Sequence, residues 1–154
     1  MAQSTEAAGR ELAAIGRRFK EMGDSGNEHK KLLVKGLREG VKQAIPDIRQ
    51  SALDMLPGGS AGYDQSVADS KFAARTRLSG KVASVKIVGA GKAQIKDTND
   101  RGRLRHPVFG NRNVWVNQAV DPGWFDKPTE AQTPRIHSAI EDVMKEARDY
   151  LEAN

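Results

Sequence analysis

The chain has no cysteine, few aromatic side chains and no long apolar run. Without cysteine it has no disulfide, no thiolate ligand for a metal ion and no cysteine nucleophile. Nowhere do about eighteen apolar residues follow one another, which is the length that a membrane-spanning helix needs. The first residues, MAQSTEAAGRELAAIG, also lack the positively charged start and apolar run of an export signal. We therefore expect a soluble protein with no membrane partner.

The length of 154 residues predicts a single domain over 1–154. The hydrophobic fraction of 38% is low for a compact globule, and only four Phe, two Trp and two Tyr are available to fill its core. Part of the chain should therefore be extended, or be buried only against a partner. Three parts are expected: a helical N-terminal part over 1–56, a linker or loop rich in glycine and serine over 57–70, and a sheet with a C-terminal helix over 71–154.

Apolar residues at spacings of three and four predict the helices of the first third. Ser4 or Thr5 can cap a first helix, and a second helical run begins near Asn27. Pro46 should kink or break this second run near Ile45, because proline lacks the amide hydrogen and crowds the preceding turn.

Alternating apolar residues predict strands in the remainder. One strand is expected over 75–88, with Gly80 as a turn or bulge, and two more over 106–109 and 113–120, joined at 110–111. A final helix should be capped by Thr133. The elements together predict an α+β fold, with N-terminal helices, a small antiparallel sheet and a C-terminal amphipathic helix packed on the sheet.

The net charge of +5 is unevenly distributed along the chain. Residues 71–112 contain eleven Lys and Arg against two Asp, which gives +9, so the flanks together carry −4. This distribution excludes a uniformly basic coat. A basic middle remains, and it would suit nucleic acid or an acidic partner.

No stretch satisfies the spacing of a nucleotide, metal or catalytic motif. Residues 89–92 end like a phosphate-binding loop, but Lys86 occupies the position of its first glycine. Residues 97–102 resemble a calcium loop only at their start, since Arg101 stands at a ligand position. The histidines, none of them in a metal-ligand pair, are His29, His106 and His137. We therefore expect no enzyme, no metal and no cofactor, and a hydrolase using His106 or His137 is the least favoured alternative.

Two clusters are candidate binding residues. Arg101, Arg103 and Arg105 occupy alternate positions, so an extended backbone would point all three guanidinium groups the same way, toward phosphates or carboxylates. Trp124 and Phe125 follow a Pro-Gly turn, so a quarter of the aromatic residues lie on a predicted loop. Such a tryptophan covers the core of its own domain or anchors a subunit contact.

The string from Arg103 to Phe125, RLRHPVFGNRNVWVNQAVDPGWF, resembles the central signature of a family of tailed-phage proteins. These are described as tail components, tail-completion proteins or head-to-tail connectors, especially in phages and prophages of actinobacteria. The resemblance lies in LRHPVFGN at 104–111, in the 115–118 strand and in PGWF at 122–125. It extends over 100–150, while the N-terminal helices agree only in kind and length.

The resemblance implies a structural α+β protomer of the virion neck. Such proteins assemble, usually as homo-hexamers, into a ring that joins head to tail and leaves a channel for genomic DNA. Implied partners are the neighbouring connector or stopper and the tail-terminator or tail-tube proteins, and the family has no catalytic residue to transfer. Alternatives are a tail-terminator ring that caps the tube or, in a different class, a small basic DNA-binding module.

This interpretation assigns roles to the candidate residues. Arg101, Arg103 and Arg105 would contact DNA in the channel or an acidic partner. The candidate subunit interface consists of His106, Pro107, Val108, Phe109, Trp115, Trp124 and Phe125.

Overall fold

The computed structural model describes residues 2–59, 62–89 and 94–154. Within these ranges the chain forms six α-helices and two small antiparallel sheets, which confirms the predicted α+β class. The helices are α1 (Ala2–Glu21), α2 (Asp24–Lys42), α3 (Ile45–Met55), α4 (Tyr63–Ala68), α5 (Asp126–Ala131) and α6 (Thr133–Ala153). The strands are β1 (Phe72–Arg77), paired with β2 (Ser84–Gly89), and β3 (Arg103–Val108), paired with β4 (Asn111–Ala119). None of these helices is long and apolar enough to cross a membrane.

The chain divides into two compact units, between which it passes four times. Unit 1 comprises Met1–Gln43, Ala73–Val88 and Pro134–Asn154, and unit 2 comprises Ala44–Phe72 and Gly89–Thr133. These boundaries differ from the three-part division expected from composition. The N-terminal helices belong to both units, and so does the basic segment 71–112.

Unit 1 has a core built from three helices and the β1–β2 hairpin. Its buried residues are Leu12, Ala13, Ile15, Phe19, Leu33, Leu37, Ala83, Met144, Ala147 and Leu151. Helix α6 therefore packs on α1 and α2 as well as on the hairpin, which contributes Ala83 and the partly buried Leu78 and Val85. The hairpin turns at Gly80, whose φ of +99° fits the predicted turn.

Close helix packing in unit 1 depends on glycines of α2. A Cβ built on Gly36 would lie 2.8 and 2.9 Å from the two γ-carbons of Val143, and one on Gly40 would lie 3.2 Å from the Cβ of Ala139. Because Gly36 and Gly40 are one turn apart, as are Ala139 and Val143, α2 and α6 meet along two successive turns.

The helices of unit 1 begin earlier than their predicted caps. Helix α1 starts at Ala2, so Ser4 and Thr5 lie inside it, and α2 starts at Asp24 rather than at Asn27. The chain reverses at Gly23, whose φ is +71°. This reversal places the first turn of α2 against the carbonyl oxygen of Phe19. A Cβ at position 26 would overlap that oxygen, so the close approach requires Gly26.

The second helical run is broken near Ile45, as predicted from Pro46. Helix α2 ends at Lys42, and α3 begins at Ile45 with Pro46 in its first turn, where no amide hydrogen is needed. At the start of α6 the expected cap is absent. The Thr133 hydroxyl instead donates to the carbonyl oxygen of Thr129, 3.2 Å away.

The predicted linker 57–70 contains α4, whose Val67 and Ala68 are buried. Arg49 of α3 holds this segment, because its guanidinium donates to the carbonyl oxygens of Ala68 and, at 3.2 Å, of Ser70. The same guanidinium lies 5.6 Å from the ring centroid of Phe72. Residues 60 and 61 of the expected linker lie outside the described ranges.

Candidate assembly surface

The candidate functional surface is the β3–β4 hairpin of unit 2, residues 103–119, called here the hairpin arm. Arg103 lies opposite Ala119, and the pairing continues to Pro107 opposite Trp115. Residues 112–114 of β4 have no register partner. The last pair before the turn is Val108 opposite Asn111. Each strand has one neighbour among the described residues, so both outer edges of the arm are unpaired.

The arm ends in a two-residue turn that carries an aromatic side chain. Phe109 and Gly110 have φ values of +47° and +78°, the pattern of a type I′ turn. Asparagine, aspartate or glycine suits the first position, whereas phenylalanine is strained there. Phe109 is 104% exposed, so no packing against the described residues compensates for this strain.

The two faces of the arm differ. Leu104 is buried and anchors the base of β3 in unit 2, whereas Arg103 and Arg105 point to the opposite, exposed face. The structure thus brings two of the three arginines together. Arg101 precedes the strand, follows a π-helical turn at Lys96–Asp100, and pairs with Asp97 at 3.1 Å. The expected row of three arginines is reduced to two because the backbone is not extended at Arg101.

Arg105 and Trp115 form a cation–π pair on the exposed face. The guanidinium carbon of Arg105 lies 5.2 Å from the ring centroid of Trp115. The indole Nε1 donates to the carbonyl oxygen of Arg112 at 2.7 Å. Both contacts hold the indole on the outside of the arm, where it is 47% exposed. The face presents an ordered aromatic surface with a positive charge beside it.

Exposed apolar surface is concentrated on the arm. Among the described residues, six large hydrophobic side chains are exposed, and four of them lie here: Phe109, Val114, Trp115 and Val116. The apolar side chains of β4 alternate across both faces of the strand, and all nine β4 residues are exposed. Val114 and Val116 are not among the candidates selected from the sequence. The available signal was the apolar run at 114–116, which places apolar side chains on both faces of the strand predicted over 113–120.

Trp124 does not belong to this surface, which corrects its assignment to the subunit interface. Its side chain is fully buried in unit 2, and its Nε1 donates to the Thr98 hydroxyl at 2.9 Å. Phe125 is half-buried, with its ring centroid 6.2 Å from that of Phe72. Both residues serve the core of their own unit.

A buried asparagine organises the turn that carries Trp124. The side-chain oxygen of Asn99 accepts the amide hydrogens of Phe125 at 2.8 Å and Asp126 at 3.1 Å. Its amide nitrogen donates to the carboxylates of Asp100 at 2.7 Å and Asp126 at 2.8 Å. The segment compared with a calcium loop is therefore a structural support for the start of α5.

The remaining candidates lie at the arm without an evident chemical role. Pro107 and Val108 are half-buried, and the Nδ1 of the half-buried His106 lies 3.2 Å from the carbonyl oxygen of Pro107. Within the described ranges no group of acidic and histidine side chains could hold a metal ion. Residues 90–93, which include most of the stretch compared with a phosphate loop, lie outside those ranges.

Unit 2 also contains a tyrosine, Tyr63, whose pKa departs from its ordinary value. Burial raises the pKa of Tyr63, and a side-chain hydrogen bond with Thr98 opposes this shift. Thr98 also accepts from Trp124, so Tyr63 belongs to the same buried polar cluster. The direction of this pKa shift keeps the phenol neutral, which fits a structural position.

A search against models of known protein families finds no match to this chain, and neither curated proteins nor solved structures give one. Its function is therefore inferred from its own residues and from the geometry of the hairpin arm.

Proposed function

We propose that this chain is a structural virion protein of a tailed-phage neck. Copies of it form a ring, taken to be a homo-hexamer, around the channel through which genomic DNA passes. The ring joins head to tail by docking on the neighbouring connector or stopper and on the tail-terminator or tail-tube protein. The role requires no catalysis.

The hairpin arm is the single observation that carries this proposal. It contains the strings that resemble the tailed-phage family, LRHPVFGN and WVNQ. It also holds four of the six exposed large hydrophobic side chains of the described residues. Exposed apolar patches rimmed by polar residues are typical of protein interaction sites. A subunit that buries this arm against a neighbour removes that surface from water.

The tip of the arm supports a protein partner. A strained and fully exposed Phe109 gives the isolated chain no stabilisation, because asparagine would suit the turn better. Inserted in a pocket of a neighbouring subunit, the same ring would bury a large apolar area. The Arg105–Trp115 pair would extend the contact, since tryptophan and arginine are enriched at interface centres.

The variant Phe109→Asn tests the proposal in solution. We expect native mass spectrometry to detect ring oligomers of the purified wild-type chain and mainly monomers of the variant. The variant should unfold at the same or a higher urea concentration, because asparagine relieves the strain at φ +47°.

The matched control is Leu32→Asn, which removes an exposed hydrophobic side chain of α2, far along the chain from the arm. This control should leave the oligomer distribution unchanged. A wild-type chain that stays monomeric at every concentration would contradict ring formation, and equal losses in both variants would contradict a role of the arm.

The phage that encodes the chain provides a second test. Deleting the gene should leave filled heads and complete tails unjoined, as seen by electron microscopy, and purified wild-type particles should contain the chain. Overlong tail tubes in the deletion would instead identify a tail terminator. Joined, infectious particles would overturn both assignments.

A further inference from the structure

Helix α2 carries a row of four cationic side chains that are not part of the hairpin arm. Lys31, Lys35, Arg38 and Lys42 follow one another at steps of four, three and four, so they share one face of the helix, and all four are exposed. This basic row lines an open groove along α2, together with Asn27, Lys30, Val34 and Glu39. Because it spans eleven residue steps, the row is about 16 Å long.

Most of the charge in the basic row is not neutralised by neighbouring carboxylates. Lys42 pairs with Glu39 at 2.8 Å. Lys42 first, and Lys35 to a smaller extent, lower the pKa of Glu39 and keep it ionised. Within the part of the chain that the structure describes, Lys31, Lys35 and Arg38 form no ion pair. The row is available to an external anion.

The excess positive charge of the protein lies in unit 1, which carries the basic row. Unit 1 contains 16 Lys and Arg against 11 Asp and Glu, a net charge of +5, whereas unit 2 contains 9 against 9 and is neutral. The segment 71–112 is divided between the units and contributes +4 to unit 1 and +5 to unit 2, where other carboxylates of that unit balance it. Long-range attraction of a polyanion is therefore directed to unit 1.

We propose that the basic row of α2 binds the phosphate backbone of duplex DNA without sequence specificity. Duplex DNA carries about one negative charge per 1.7 Å of its axis, so several phosphates lie within reach of a row about 16 Å long. Flexible lysine and arginine side chains on a helix face can follow this charge without reading bases.

The composition of the row favours DNA over an acidic protein. The centres of protein interfaces are depleted in lysine and enriched in aromatic and apolar anchors. Here three of four positions are lysine, and the half-buried Val34 is the one apolar side chain in the groove lining. The surface thus offers charge without an apolar centre.

Fluorescence anisotropy with a labelled duplex tests this proposal on the full chain. With four cations involved, log K should fall with log salt concentration with a slope of about −3.6. The double variant Lys31→Glu, Lys35→Glu should bind at least about tenfold more weakly at low salt, and its slope should be shallower by about two. The reverse change, Glu39→Lys, should tighten binding.

The matched control is Lys81→Glu, Lys145→Glu, which changes the net charge of unit 1 by the same amount at two exposed lysines outside the row. Circular dichroism checks that each variant is folded. The control should retain most of the affinity. No binding of the wild type at low salt, or an equal loss in control and row variants, would overturn the proposal.

A competition experiment distinguishes duplex DNA from an acidic protein as the partner of the basic row. Unlabelled duplex should displace the probe far better than poly-glutamate at equal charge concentration. Equal displacement by poly-glutamate would assign the row to an acidic protein and overturn the proposal. The titration uses the isolated chain, so its outcome does not depend on ring formation, and the two proposals can fail separately.

Discussion

At the scale of single residues, the two tryptophans illustrate two uses of a large aromatic side chain. Trp124 is completely buried and hydrogen-bonded to Thr98, whereas Trp115 lies outside, beside Arg105. The first stabilises unit 2, since a buried indole with a satisfied N–H contributes its full apolar area. The second leaves about half of its surface in water and contributes less to folding.

Replacing each tryptophan by alanine should therefore give opposite results. Trp124→Ala should cost about 3–5 kcal/mol of unfolding free energy, because it leaves a large cavity and removes the donor to Thr98. Trp115→Ala should cost less than about 1 kcal/mol, as is typical of exposed positions, but should weaken ring assembly. Urea unfolding followed by circular dichroism measures the first effect and native mass spectrometry the second. Similar stability losses would contradict this assignment.

The sequence predicted the turn at Trp124 and left burial of the side chain as one of two alternatives. Pro122 and Gly123 identify the turn locally. The groups that hydrogen-bond the residues of this turn, Thr98 and Asn99, lie 26 or 27 positions before their partners, in a segment with no regular apolar pattern. Nothing in the local sequence connects these two segments. A polar network between distant loops is therefore visible only in the folded chain.

At the scale of elements, the contact between α2 and α6 depends on the absence of a side chain at Gly36. A Cβ there would approach both γ-carbons of Val143 to less than 3 Å. A valine in a helix has one strongly preferred rotamer, so it cannot move aside easily. The glycine is thus required by packing, even though glycine disfavours the helix itself.

A double-mutant cycle tests this contact. Gly36→Ala alone should destabilise the protein, because an overlap costing about 1–3 kcal/mol exceeds the helix-propensity gain of about 1 kcal/mol. In a Val143→Ala background the overlap is gone, and the same substitution should stabilise by up to about 1 kcal/mol. Thermal unfolding measured by calorimetry gives both values. Stabilisation in both backgrounds would show that the helices separate freely, and destabilisation in both would show that the overlap is not with Val143.

Elements with strong local signals were predicted best. The break at Pro46 and a turn at Gly80 are present, because proline and glycine restrict or free the backbone locally, although the single strand expected over 75–88 is a two-stranded hairpin. The turn expected at 110–111 lies one residue earlier, at Phe109 and Gly110. The short helix α4 was missed inside a segment rich in glycine and serine. Its order depends on Arg49, which lies fourteen residues before Tyr63 and holds the carbonyl oxygens at the end of α4.

At the scale of the whole molecule, charge and exposed apolar surface are divided between the two units. Unit 1 carries the net charge and the basic row, whereas unit 2 is neutral and carries the hairpin arm. The total of +5 follows directly from composition, but a contiguous count assigned the excess to residues 71–112. The unit boundaries divide that segment into +4 in unit 1 and +5 in unit 2, and carboxylates elsewhere in unit 2 cancel its share. No local pattern predicts where the chain passes from one unit to the other.

This division predicts that the arginines of the hairpin arm serve assembly rather than DNA binding. Arg103→Glu, Arg105→Glu should leave duplex affinity within about twofold of the wild type, since it changes charge outside the basic row. The same variant should lose ring oligomers, because it removes the guanidinium that holds the Trp115 indole by a cation–π contact. Anisotropy and native mass spectrometry on one preparation measure both quantities. A loss of DNA affinity as large as that caused by changing Lys31 and Lys35 would instead place the arm at the DNA.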